Sequence, residues 1–487
     1  MSSRYEGGYA GYLTRASARW PTRVGLQFEG QTWTYGALHA AVEAAADRLA
    51  AAGVAEGTRV ALLVDNCPEY LIAQFALARL GAVFVTPNPY WTPVEIEQAL
   101  AAAAATAAVY VSRFTDVAAR LHIAVPTDSL LDAAPKRPPS TAPSPGMPLY
   151  IPFSSGTTGL PKGVVHTVES LCGGVEQLRH HLRLSDDDRL QITLPLCHIF
   201  GATMSAAALS VGAEMTLFRR FNLDESLRHI TDARVTIWPI AGAVAHRLAH
   251  RDDLRAEDFS SLRFFMWGGS AVPVDLAQKI TNRTGVGFLC SYGMTEAMMV
   301  AFNPVNEPER WRLDSPGYPT EGTQLRITAA GELEVRGPSV AAGYVGTDSN
   351  AFLPDGWFAT GDLVEIATDG RVRIVDRLKD IFKVSGFQVS PTEVEQVLLA
   401  HPDVDEVAVV AQPDQRTGEA TVALVVSRAP GLTAEALHHW ASTRLASYKR
   451  PREYQFVDEL PRTAGGKLQR DRLSSQARET PTTQAHK

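Results

Sequence analysis

Cysteine is scarce in this chain, and its spacing excludes two common kinds of site. The 487 residues include four cysteines, Cys67, Cys172, Cys197 and Cys290, and no two of them lie at C-x-x-C spacing. The sequence therefore predicts neither a zinc site nor a dithiol redox motif. Few, scattered cysteines in a long chain are typical of a reducing compartment, so we expect a cytoplasmic protein.

Long apolar segments and basic clusters are missing as well. The N-terminal sequence MSSRYEGGYAGYLTRASARW contains no apolar core, so no signal peptide is predicted. No run of about 18 apolar residues occurs, and we expect no membrane-spanning helix. The net charge is −7 without a basic block, which argues against a nucleic acid as partner.

Several signatures of nucleotide-dependent and hydrolytic enzymes are also absent. The chain has no Walker sequence, in which Gly precedes the lysine and Ser or Thr follows it. It has no protein-kinase loop and no G-x-S-x-G nucleophile elbow. A kinase or a hydrolase is therefore not indicated.

The bulk composition is that of a globular protein with more than one domain. Hydrophobic residues make up 45% of the chain and charged residues 20%, which is an ordinary balance for a globular protein. A chain of 487 residues is too long for one hydrophobic core, so two or more domains are expected.

Among the features present, the most informative is a glycine-rich stretch at 150–167, YIPFSSGTTGLPKGVVHT. Glycines let backbone N–H groups turn toward a ligand, and such groups together with hydroxyls and a lysine suit a polyphosphate. The stretch is not a Walker loop, since Pro161 precedes Lys162 and Gly163 follows it, and it contains no Rossmann G-x-G-x-x-G. The alternative interpretation is a surface loop rich in ordinary turn residues.

Helical and strand patterns alternate before this stretch. The sequence predicts a helix at 34–53, a buried strand at 59–64, a helix at 68–81 and a strand at 83–85. The segment at 92–95, TPVE, is a capping box that opens another helix. Strands that alternate with helices predict a largely parallel, doubly wound sheet.

The alternation resumes after a predicted linker at 133–148, which is rich in Pro, Ser and Ala. Strand patterns recur at 190–194, 214–218 and 235–238, with helical patterns between them. Beyond Asp369 the pattern changes to that of a small α+β unit. Its predicted elements are a strand at 371–375, a hairpin arm at 381–389, a capping box at 390–393, an antiparallel pair at 406–411 and 421–426, and a helix at 433–445.

Two further motifs carry candidate functional residues in the middle of the chain. LPLCHIFG at 194–201 contains His198, which on its own is most simply a histidine satisfied in the core. SYGMTE at 291–296 ends in Glu296, whose carboxylate could hold Mg²⁺, because that ion takes few protein ligands. The alternative for the second motif is a turn with a solvated glutamate.

Two more motifs lie further along. GWFATGD at 356–362 ends in Asp362, and one carboxylate can accept hydrogen bonds from both hydroxyls of a ribose. PRTAGGK at 461–467 ends in Lys467, which on a Gly-Gly loop could reach a site and neutralise developing charge. Taken singly, the alternatives are an ordinary surface turn and a solvated tail.

Together, the order and intervals of these motifs resemble the acyl-adenylate-forming superfamily, which includes acyl-CoA synthetases, carrier-protein adenylation domains and beetle luciferases. The resemblance extends from about residue 34 to 472 and includes SSGTTGLPKGV, YGMTE, GWFATGD and DRLKDIFKVSGFQVSP. Within the superfamily the chain is most similar to the 4-coumarate-CoA ligase group, on GELEVRGPSVAAGYVG and SGFQVSP.

The resemblance implies an α/β fold with two domains. Residues 1–378 would form a large N-terminal domain of doubly wound α/β subdomains plus a small β-barrel-like part. Residues 379–487 would form a small mobile α+β domain that rotates about Lys379 between two steps of the reaction.

The resemblance also implies an ATP-dependent acyl- or aryl-CoA ligase that uses Mg²⁺ and coenzyme A. A carboxylate would attack the α-phosphate of ATP to give an acyl-adenylate and pyrophosphate, and a thiol would then displace AMP. The alternatives are a ligase that loads a separate carrier protein and a non-catalytic adenylate-binding relative, although intact Glu296, Asp362, Arg377 and Lys467 argue against the latter. A homodimer is a further expectation from the family.

Site residues are carried over by matching motifs. Lys467 would bridge the attacking carboxylate and the α-phosphate, Thr295 would bind the α-phosphate, Glu296 would carry Mg²⁺, and His198 would lie beside the acid. Asp362 and Arg377 would hold the ribose, and Tyr292 would stack near the adenine. The remaining phosphate and nucleotide contacts would come from Ser154, Ser155, Gly156, Thr157, Thr158, Lys162, Ser291, Gly293, Met294 and Ile374. Lys383, Ser385, Gly386 and Phe387 would line the channel for the thiol, and Phe200, Trp238, Trp267, Gly268, Gly269, Met298 and Met299 would line the acid pocket.

The chain departs from its relatives at several of these positions. Ser385 replaces a frequent lysine, Cys197 replaces a frequent aromatic residue, and Ala297-Met298-Met299 replaces the usual Gly and Pro. Methionine is adaptable and fills irregular apolar space. We therefore predict that the acid is bulky and apolar, or aromatic, and is not acetate.

Overall fold

Several helix ends that the sequence predicts are formed in the structure by local hydrogen bonds and backbone conformations. Thr34 caps a helix by accepting a hydrogen bond from the amide of Ala37 at 3.1 Å, as predicted. The capping box at 92–95 is complete, with both reciprocal hydrogen bonds. Gly81 ends the second predicted helix at φ +67°, a left-handed conformation that glycine adopts without a steric penalty.

The computed structural model describes residues 7–137, 143–154, 162–240, 242–269, 272–346, 349–462 and 468–479. Of residues 243, 471, 478 and 479 it describes the backbone alone. The helices, in chain order, are α1 Gly11–Arg19, α2 Tyr35–Ala51, α3 Pro68–Leu80, α4 Pro93–Ala102, α5 Thr115–Ala118, α6 Val168–His181, α7 Ile199–Ser210, α8 Leu223–Ala233, α9 Gly242–Ala249, α10 Val274–Thr284, α11 Pro391–Leu399, α12 Ala434–Ser442 and α13 Arg470–Glu479.

The strands are short, as is usual for parallel α/β layers. In chain order they are β1 Val24–Phe28, β2 Gln31–Thr34, β3 Arg59–Leu63, β4 Val83–Thr86, β5 Ala107–Tyr110, β6 Ile123–Pro126, β7 Pro148–Ser154, β8 Lys162–Thr167, β9 Arg189–Ile192, β10 Glu214–Leu217, β11 Ile237–Ile240, β12 Phe264–Trp267, β13 Phe288–Tyr292, β14 Ala301–Phe302, β15 Tyr318–Pro319, β16 Gln324–Ile327, β17 Glu332–Arg336, β18 Gly343–Tyr344, β19 Phe358–Ile366, β20 Val372–Arg377, β21 Phe382–Val384, β22 Phe387–Val389, β23 Val404–Asp414, β24 Gly418–Ser427 and β25 Glu453–Phe456.

Contacts within the chain divide it into two units. The large unit is Met1–Leu325 with Val335–Ala359, and the small unit is Arg326–Glu334 with Thr360–Lys487. The domain break predicted after residue 378 and the mobility of the second domain stay predictions.

Two sheets organise the large unit. One has seven strands in the order β18-β8-β7-β4-β3-β5-β6, and the other has nine in the order β15-β14-β13-β12-β11-β9-β10-β1-β2. Pairing is parallel from β7 to β6 and from β13 to β1, while β8, β18, β2, β14 and β15 add antiparallel edges. The prediction of a largely parallel, doubly wound architecture is confirmed.

One hydrophobic core joins the two sheets of the large unit. Buried residues of both sheets and of α1, α2, α3, α6 and α7 belong to it, and α2 packs on α3 while α6 packs on α7. A second core, with Trp238, Phe265 and Trp267 among its buried residues, lies on the nine-stranded sheet with α9 and α10. Burial of aromatic side chains of this size contributes about 1.5–3 kcal/mol each.

Three predicted details are corrected by the structure. The strand expected at 235–238 is β11, which begins two residues later, because the amide of Val235 still bonds the Ile230 carbonyl at 3.1 Å to close α8.

The second correction concerns the capping box expected at 390–393, which is only half formed. Ser390 accepts from the amide of Glu393 at 3.2 Å, but the Glu393 carboxylate is held by Lys449 at 2.6 Å.

The third correction concerns the small β part that was expected to be barrel-like. It is a four-stranded sheet in the order β16-β17-β19-β20, and within the described residues its end strands do not pair to close it.

The small unit has the predicted α+β composition. Its main sheet has the order β22-β21-β24-β23, with β25 parallel to β24. The predicted antiparallel pair is β23 and β24, whose turn is held by Asp414 through the amides of Arg416 at 3.0 Å and Thr417 at 2.9 Å. Apolar residues on the two faces of this sheet form separate cores, one with α11 and α12 and one with α13. Within the described residues, no helix combines the length and the apolar character needed to cross a membrane.

Candidate functional site

The glycine-rich stretch joins two paired strands of the seven-stranded sheet. Ser154, the last residue of β7, lies directly opposite Lys162, the first residue of β8. The candidate phosphate ligands Ser155, Gly156, Thr157 and Thr158 lie outside the described residues. The antiparallel register therefore places a hydroxyl and an ammonium at the two ends of the segment predicted to bind phosphate.

Lys162 and Glu296 are both in contact with one tyrosine. The ammonium of Lys162 lies over the ring of Tyr344, 5.3 Å from its centroid. The hydroxyl of Tyr344 donates to Oε1 of Glu296 at 2.9 Å. Burial, and after it the neighbouring Glu296 carboxylate, raises the pKa of Tyr344 well above its usual value. The hydroxyl therefore stays protonated at neutral pH and keeps its role as donor.

Glu296 belongs to a tight turn that follows β13. The amide of Met294 donates to the carbonyl of Ala297 at 2.9 Å, and the reverse bond is 3.2 Å long. The amide of Ala341 donates to the Glu296 carbonyl at 2.8 Å. A Cβ at Gly293 would lie 2.0 Å from the carbonyl oxygen of Met298, so only glycine fits there. The carboxylate is thus presented from a turn that is fixed on both sides.

A buried histidine connects this turn to β8. Nε2 of His166 lies 2.7 Å from the carbonyl oxygen of Thr295, and Nδ1 lies 3.1 Å from the hydroxyl of Ser170 at the start of α6. Burial lowers the pKa of His166 to about 4, so the ring is neutral at pH 7. A carbonyl can only accept, so Nε2 carries the proton and Nδ1 accepts from Ser170.

The donor set around Glu296 fits a magnesium ion. Glu296 is 8% exposed, and one of its oxygens is engaged by a neutral donor. Among the described residues no lysine or arginine forms an ion pair with this carboxylate, so its negative charge has no protein counter-charge there. A buried carboxylate with one oxygen available suits a hard cation that keeps its waters and phosphate ligands.

Three residues predicted to contact ligands, Gly268, Ser291 and Phe200, lie close together at the end of β12. A Cβ at Gly268 would lie 3.0 Å from the hydroxyl oxygen of Ser291 and 3.4 Å from Cε1 of Phe200. The Ser291 hydroxyl donates to the Trp267 carbonyl at 3.0 Å. A Cβ built at Gly269 would have no atom within 4 Å. The two glycines thus leave room beside an aromatic ring, at the carboxyl end of a parallel strand, where α/β sheets bind ligands.

Four other candidate acid-pocket residues are packed into cores. Nε1 of Trp238 donates to Thr193 at 3.1 Å, and Trp267 packs edge-on against Phe288. Met298 lies against α6, where a Cβ at Gly174 would be 2.6 Å from its sulfur. Met298 and Met299 both belong to the main core. Their role in the acid pocket, with that of Trp238 and Trp267, stays a prediction.

His198 occupies the N-cap position of α7. Asn66 fixes the loop before it, since its side chain accepts from the Leu196 amide at 2.8 Å and donates to the Leu194 carbonyl at 2.9 Å. The hydroxyl of Thr86 donates to the Cys197 carbonyl at 3.1 Å. The predicted contact of His198 with the acid stays a prediction, as does that of Tyr292 with adenine.

The two residues predicted to bind ribose are neighbours in the small unit. Asp362 on β19 is paired with Arg377 on β20, and Nε of Arg377 lies 3.0 Å from Oδ1 of Asp362. Asp362 is buried, so the guanidinium provides the charge compensation that a buried carboxylate requires. Ile374, on the same strand, is 37% exposed. Their contacts with ribose stay a proposal.

The predicted thiol-channel residues form the exposed tip of a hairpin in the same unit. Ser385 and Gly386 connect β21 to β22 with φ values of +52° and +85°. Phe387 is 58% exposed, and its ring stacks on Tyr448 with centroids 4.8 Å apart. Lys383, the middle residue of β21, is exposed.

The predicted hinge residue and the predicted adenylation lysine lie elsewhere in the chain. Lys379 lies in the turn after β20. Lys467 lies outside the described residues.

Sequence reasoning missed three residues of these sites. Tyr344 lies within the quoted motif at 331–346, His166 within the glycine-rich stretch, and Tyr448 in a segment without a motif. Nothing in their local spacing distinguishes them, because each contact is made with residues distant in the sequence. An aromatic or histidine side chain inside a motif was the only available signal.

Two family models match the chain. Residues 13–345 match the model described as AMP-binding enzyme, and residues 393–467 match the model of the AMP-binding enzyme C-terminal domain. Among curated proteins, 4-coumarate–CoA ligase 3 of Oryza sativa subsp. japonica is 33% identical, over 91% of this chain and 87% of its own. Indoleacetate–CoA ligase of Aromatoleum aromaticum is 34% identical, over 94% and 96%.

Solved structures agree over nearly the whole chain. The ATP-bound MatB of Rhodopseudomonas palustris superposes with a TM-score of 0.91 at 27% identity, covering 96% of this chain and 99% of the other. The o-succinylbenzoate coenzyme A synthetase of Bacillus subtilis, in complex with ATP and magnesium, superposes with a TM-score of 0.86 at 29% identity, covering 95% and 98%.

Proposed function

Because this chain belongs to the AMP-binding enzyme family of acyl-adenylate-forming enzymes, we propose that it activates a bulky apolar or aromatic carboxylic acid. It is an ATP-dependent acyl-CoA ligase that uses ATP, Mg²⁺ and coenzyme A. The identity of the acid and the residue roles below are the parts of this assignment that we propose.

The reaction has two steps. In the first, a carboxylate oxygen attacks the α-phosphorus of ATP, the bond from that phosphorus to the bridging oxygen breaks, and pyrophosphate leaves with its electron pair. In the second, the thiolate of coenzyme A attacks the acyl carbon, the bond to the adenylate oxygen breaks, and AMP leaves. Adenylation is needed because a free carboxylate is a poor electrophile with a poor leaving group.

Charge placement by this chain's own residues supports the first step. Lys162 pairs with Ser154 at the end of the segment predicted to bind phosphate, so its ammonium would bind phosphate oxygens. Glu296 would hold Mg²⁺, which neutralises phosphate charge when bound. Asp362 would accept from the ribose hydroxyls while Arg377 holds its carboxylate in place. Lys467 would neutralise charge that develops between the acid and the α-phosphate.

One observation carries the proposal about the acid. The backbone at Gly268 and Gly269 leaves space beside the ring of Phe200, with Gly268 within van der Waals range of that ring. An aromatic acid can stack there at the centroid separations of 4.5–7 Å that are typical of ring pairs. The names of the relatives, 4-coumarate and indoleacetate CoA ligases, point to the same class of acid.

Pyrophosphate release tests this proposal. Purified enzyme is supplied with ATP, Mg²⁺ and a panel of aryl, fatty, polycyclic and short-chain acids, with and without coenzyme A. We expect at least one aryl or bulky apolar acid to give a kcat/KM about a hundredfold above acetate, because each additional buried CH₂ contributes about 0.8 kcal/mol. Release with acids of two to four carbons alone would refute the proposed acid class, while no release with any acid would refute the ligase assignment.

The thiol acceptor is tested in the same assay. A carrier-protein phosphopantetheine is the alternative to coenzyme A, and thioester yields with each acceptor distinguish them.

We further propose a cytoplasmic location, which the four free, buried cysteines support. A homodimer is a family-level proposal, for which sedimentation velocity is the direct measurement.

A further inference from the structure

Two opposite charges of the ATP site meet different parts of a single side chain. The Lys162 ammonium lies over the ring of Tyr344 at 5.3 Å from its centroid, and Oε1 of Glu296 accepts from the hydroxyl of the same residue at 2.9 Å. Neither Lys162 nor Glu296 forms an ion pair within the parts of the chain that the structure describes. Tyr344 is therefore in contact with a cation and an anion, neither of which has an ion-pair partner among the described residues.

A direct ion pair between Lys162 and Glu296 would weaken the binding of ligands by both side chains. Opposite charges in contact attract more strongly at a site of reduced dielectric than in water. A Lys162–Glu296 ion pair would compete with phosphate for the ammonium and with Mg²⁺ for the carboxylate. The ring face gives the ammonium a weaker, cation–π neighbour, which phosphate can replace.

The position of Tyr344 is fixed by the backbone around it. Tyr344 pairs with Val164 in the antiparallel β18–β8 ladder. The amide of Ala342 donates to the Val165 carbonyl at 2.8 Å, and that of Val345 donates to the Gly163 carbonyl at 2.9 Å. The ring also packs edge-on against Phe352, with centroids 5.1 Å apart. The same strand that carries Lys162 thus sets the position of the hydroxyl that meets Glu296.

We propose that Tyr344 is a positioning residue for magnesium-dependent ATP binding. Its hydroxyl holds Oε1 of Glu296 so that Oε2 is presented to Mg²⁺, and its ring keeps the Lys162 ammonium away from that carboxylate. Hydrogen bonds that orient metal-ligating carboxylates typically matter by 10–100-fold in metal affinity. This inference rests on the proposed ligase function, because it requires ATP and Mg²⁺ at this site.

Calorimetric titration of ATP, with Mg²⁺ and with excess chelator, tests the inference without turnover. In the wild-type chain Mg²⁺ should tighten ATP binding. Tyr344→Phe keeps the ring and loses the hydroxyl, so we expect it to lose about tenfold of the gain from Mg²⁺ and to bind ATP normally in chelator. Tyr344→Leu also loses the ring, so it should weaken ATP binding in chelator as well.

Two controls separate positioning from general damage. Tyr35→Phe removes another buried hydroxyl of the large unit, which donates to the Ala213 carbonyl at 2.6 Å, and it should leave the gain from Mg²⁺ unchanged. In a Glu296→Gln background the gain should be abolished, and adding Tyr344→Phe should then have no further effect, since coupled residues are not additive.

The outcomes distinguish this inference from the proposed function. Wild-type protein that binds no ATP would refute both. A wild-type gain from Mg²⁺ that Tyr344→Phe retains in full would refute the inference alone. An equal loss from Tyr344→Phe in the wild-type and Glu296→Gln backgrounds would also refute it, because the hydroxyl would then act independently of the carboxylate.

Discussion

His166 shows how one side chain can join two motifs that are far apart in the sequence. It lies inside the glycine-rich stretch, yet its ring holds the Thr295 carbonyl at 2.7 Å, next to the residue predicted to carry Mg²⁺. The ring does this as a neutral donor, because burial lowers its pKa to about 4 from an ordinary 6.5. A buried group with a lowered pKa links the stability of the site to pH.

His166→Gln tests that linkage. Between pH 6.5 and 4 the unfolded chain binds a proton at this position that the folded chain does not, so the imidazole makes stability fall as pH falls. The loss should begin below pH 6.5 and reach about 3 kcal/mol near pH 4. Glutamine can donate to the Thr295 carbonyl without titrating, so the variant should lose this part of the pH dependence in urea unfolding followed by tryptophan fluorescence.

The matched control for this measurement is His122→Gln, at an exposed histidine, which should behave as wild type. If His166→Gln kept the wild-type pH dependence between 6.5 and 4, the buried neutral ring would not be its source.

Gly268→Ala is the prediction for the acid site. The added Cβ would lie 3.4 Å from Cε1 of Phe200 and 3.0 Å from the Ser291 hydroxyl, which fills the space proposed for the acid. Overpacking of this kind costs about 1–3 kcal/mol, so the KM for a bulky acid should rise about tenfold or more. The KM for ATP should change by less, and both are measured by pyrophosphate release.

Gly146→Ala is the control for that variant, since a Cβ there would have no atom within 4 Å and Gly146 does not need a left-handed φ. An equal rise in both KM values for Gly268→Ala would mean that the space beside Phe200 does not belong to the acid.

At the scale of elements, the tip of the β21–β22 hairpin is an exposed part of the predicted site. Its two-residue turn needs positive φ at both positions, and Ser385 meets this with a serine at φ +52°. The amide of Ser385 donates to the Thr417 carbonyl at 2.9 Å, which ties the turn to the β23–β24 connection. Such turns favour Asn-Gly, so the present Ser-Gly is a suboptimal choice for the backbone.

Ser385→Asn should therefore stabilise the hairpin by about 0.5–1 kcal/mol, because asparagine tolerates the left-handed region better than serine does. The measurement is hydrogen exchange of the amides at 382–389, which should slow about threefold. Ser385→Ala is the matched control and should speed exchange, since alanine lacks that tolerance. Faster exchange in Ser385→Asn would show that the tip does not keep this turn in solution.

At the scale of the whole molecule, the candidate residues are distributed over two units. The Lys162, Glu296 and Phe200 sites lie in the large unit, and the Asp362–Arg377 pair and the hairpin lie in the small one. The two steps of the proposed reaction need different groups, a cation for adenylation and a channel for the thiol. We propose that the small unit serves both steps through a rearrangement of the hinge kind about Lys379.

Lys467→Ala tests this two-conformation scheme. Lys467 should act only in the first step, so pyrophosphate release should fall by at least a hundredfold, the order of effect seen when one charge-stabilising donor is removed. Thioester formation from supplied acyl-adenylate and coenzyme A should stay within about threefold of wild type. Arg428→Ala, whose guanidinium lies 3.0 Å from Asp405 in the same unit, is the control for loss of a positive charge. Equal loss of both half-reactions in Lys467→Ala would contradict the scheme.

The family and the parallel layers of the whole molecule follow from the sequence, whereas the form of the small β part does not. The motif order identified the family before any coordinates, because several separate stretches agree with the family together. The alternation of helices and strands likewise predicted the parallel layers. The resemblance implied a β-barrel-like form for the small β part, and the described residues show a four-stranded sheet instead, because closure depends on pairing between strands distant in the chain.

The sequence by itself determined several helix ends, as at Thr34, Gly81 and the box at 92–95, because hydrogen bonds among residues three or four apart decide them. Tertiary structure alone decided that the Glu393 carboxylate pairs with Lys449, and that Tyr344 contacts both Lys162 and Glu296. Those contacts depend on sheet register and on packing between elements, and register is a property of two strands together, which neither strand encodes alone.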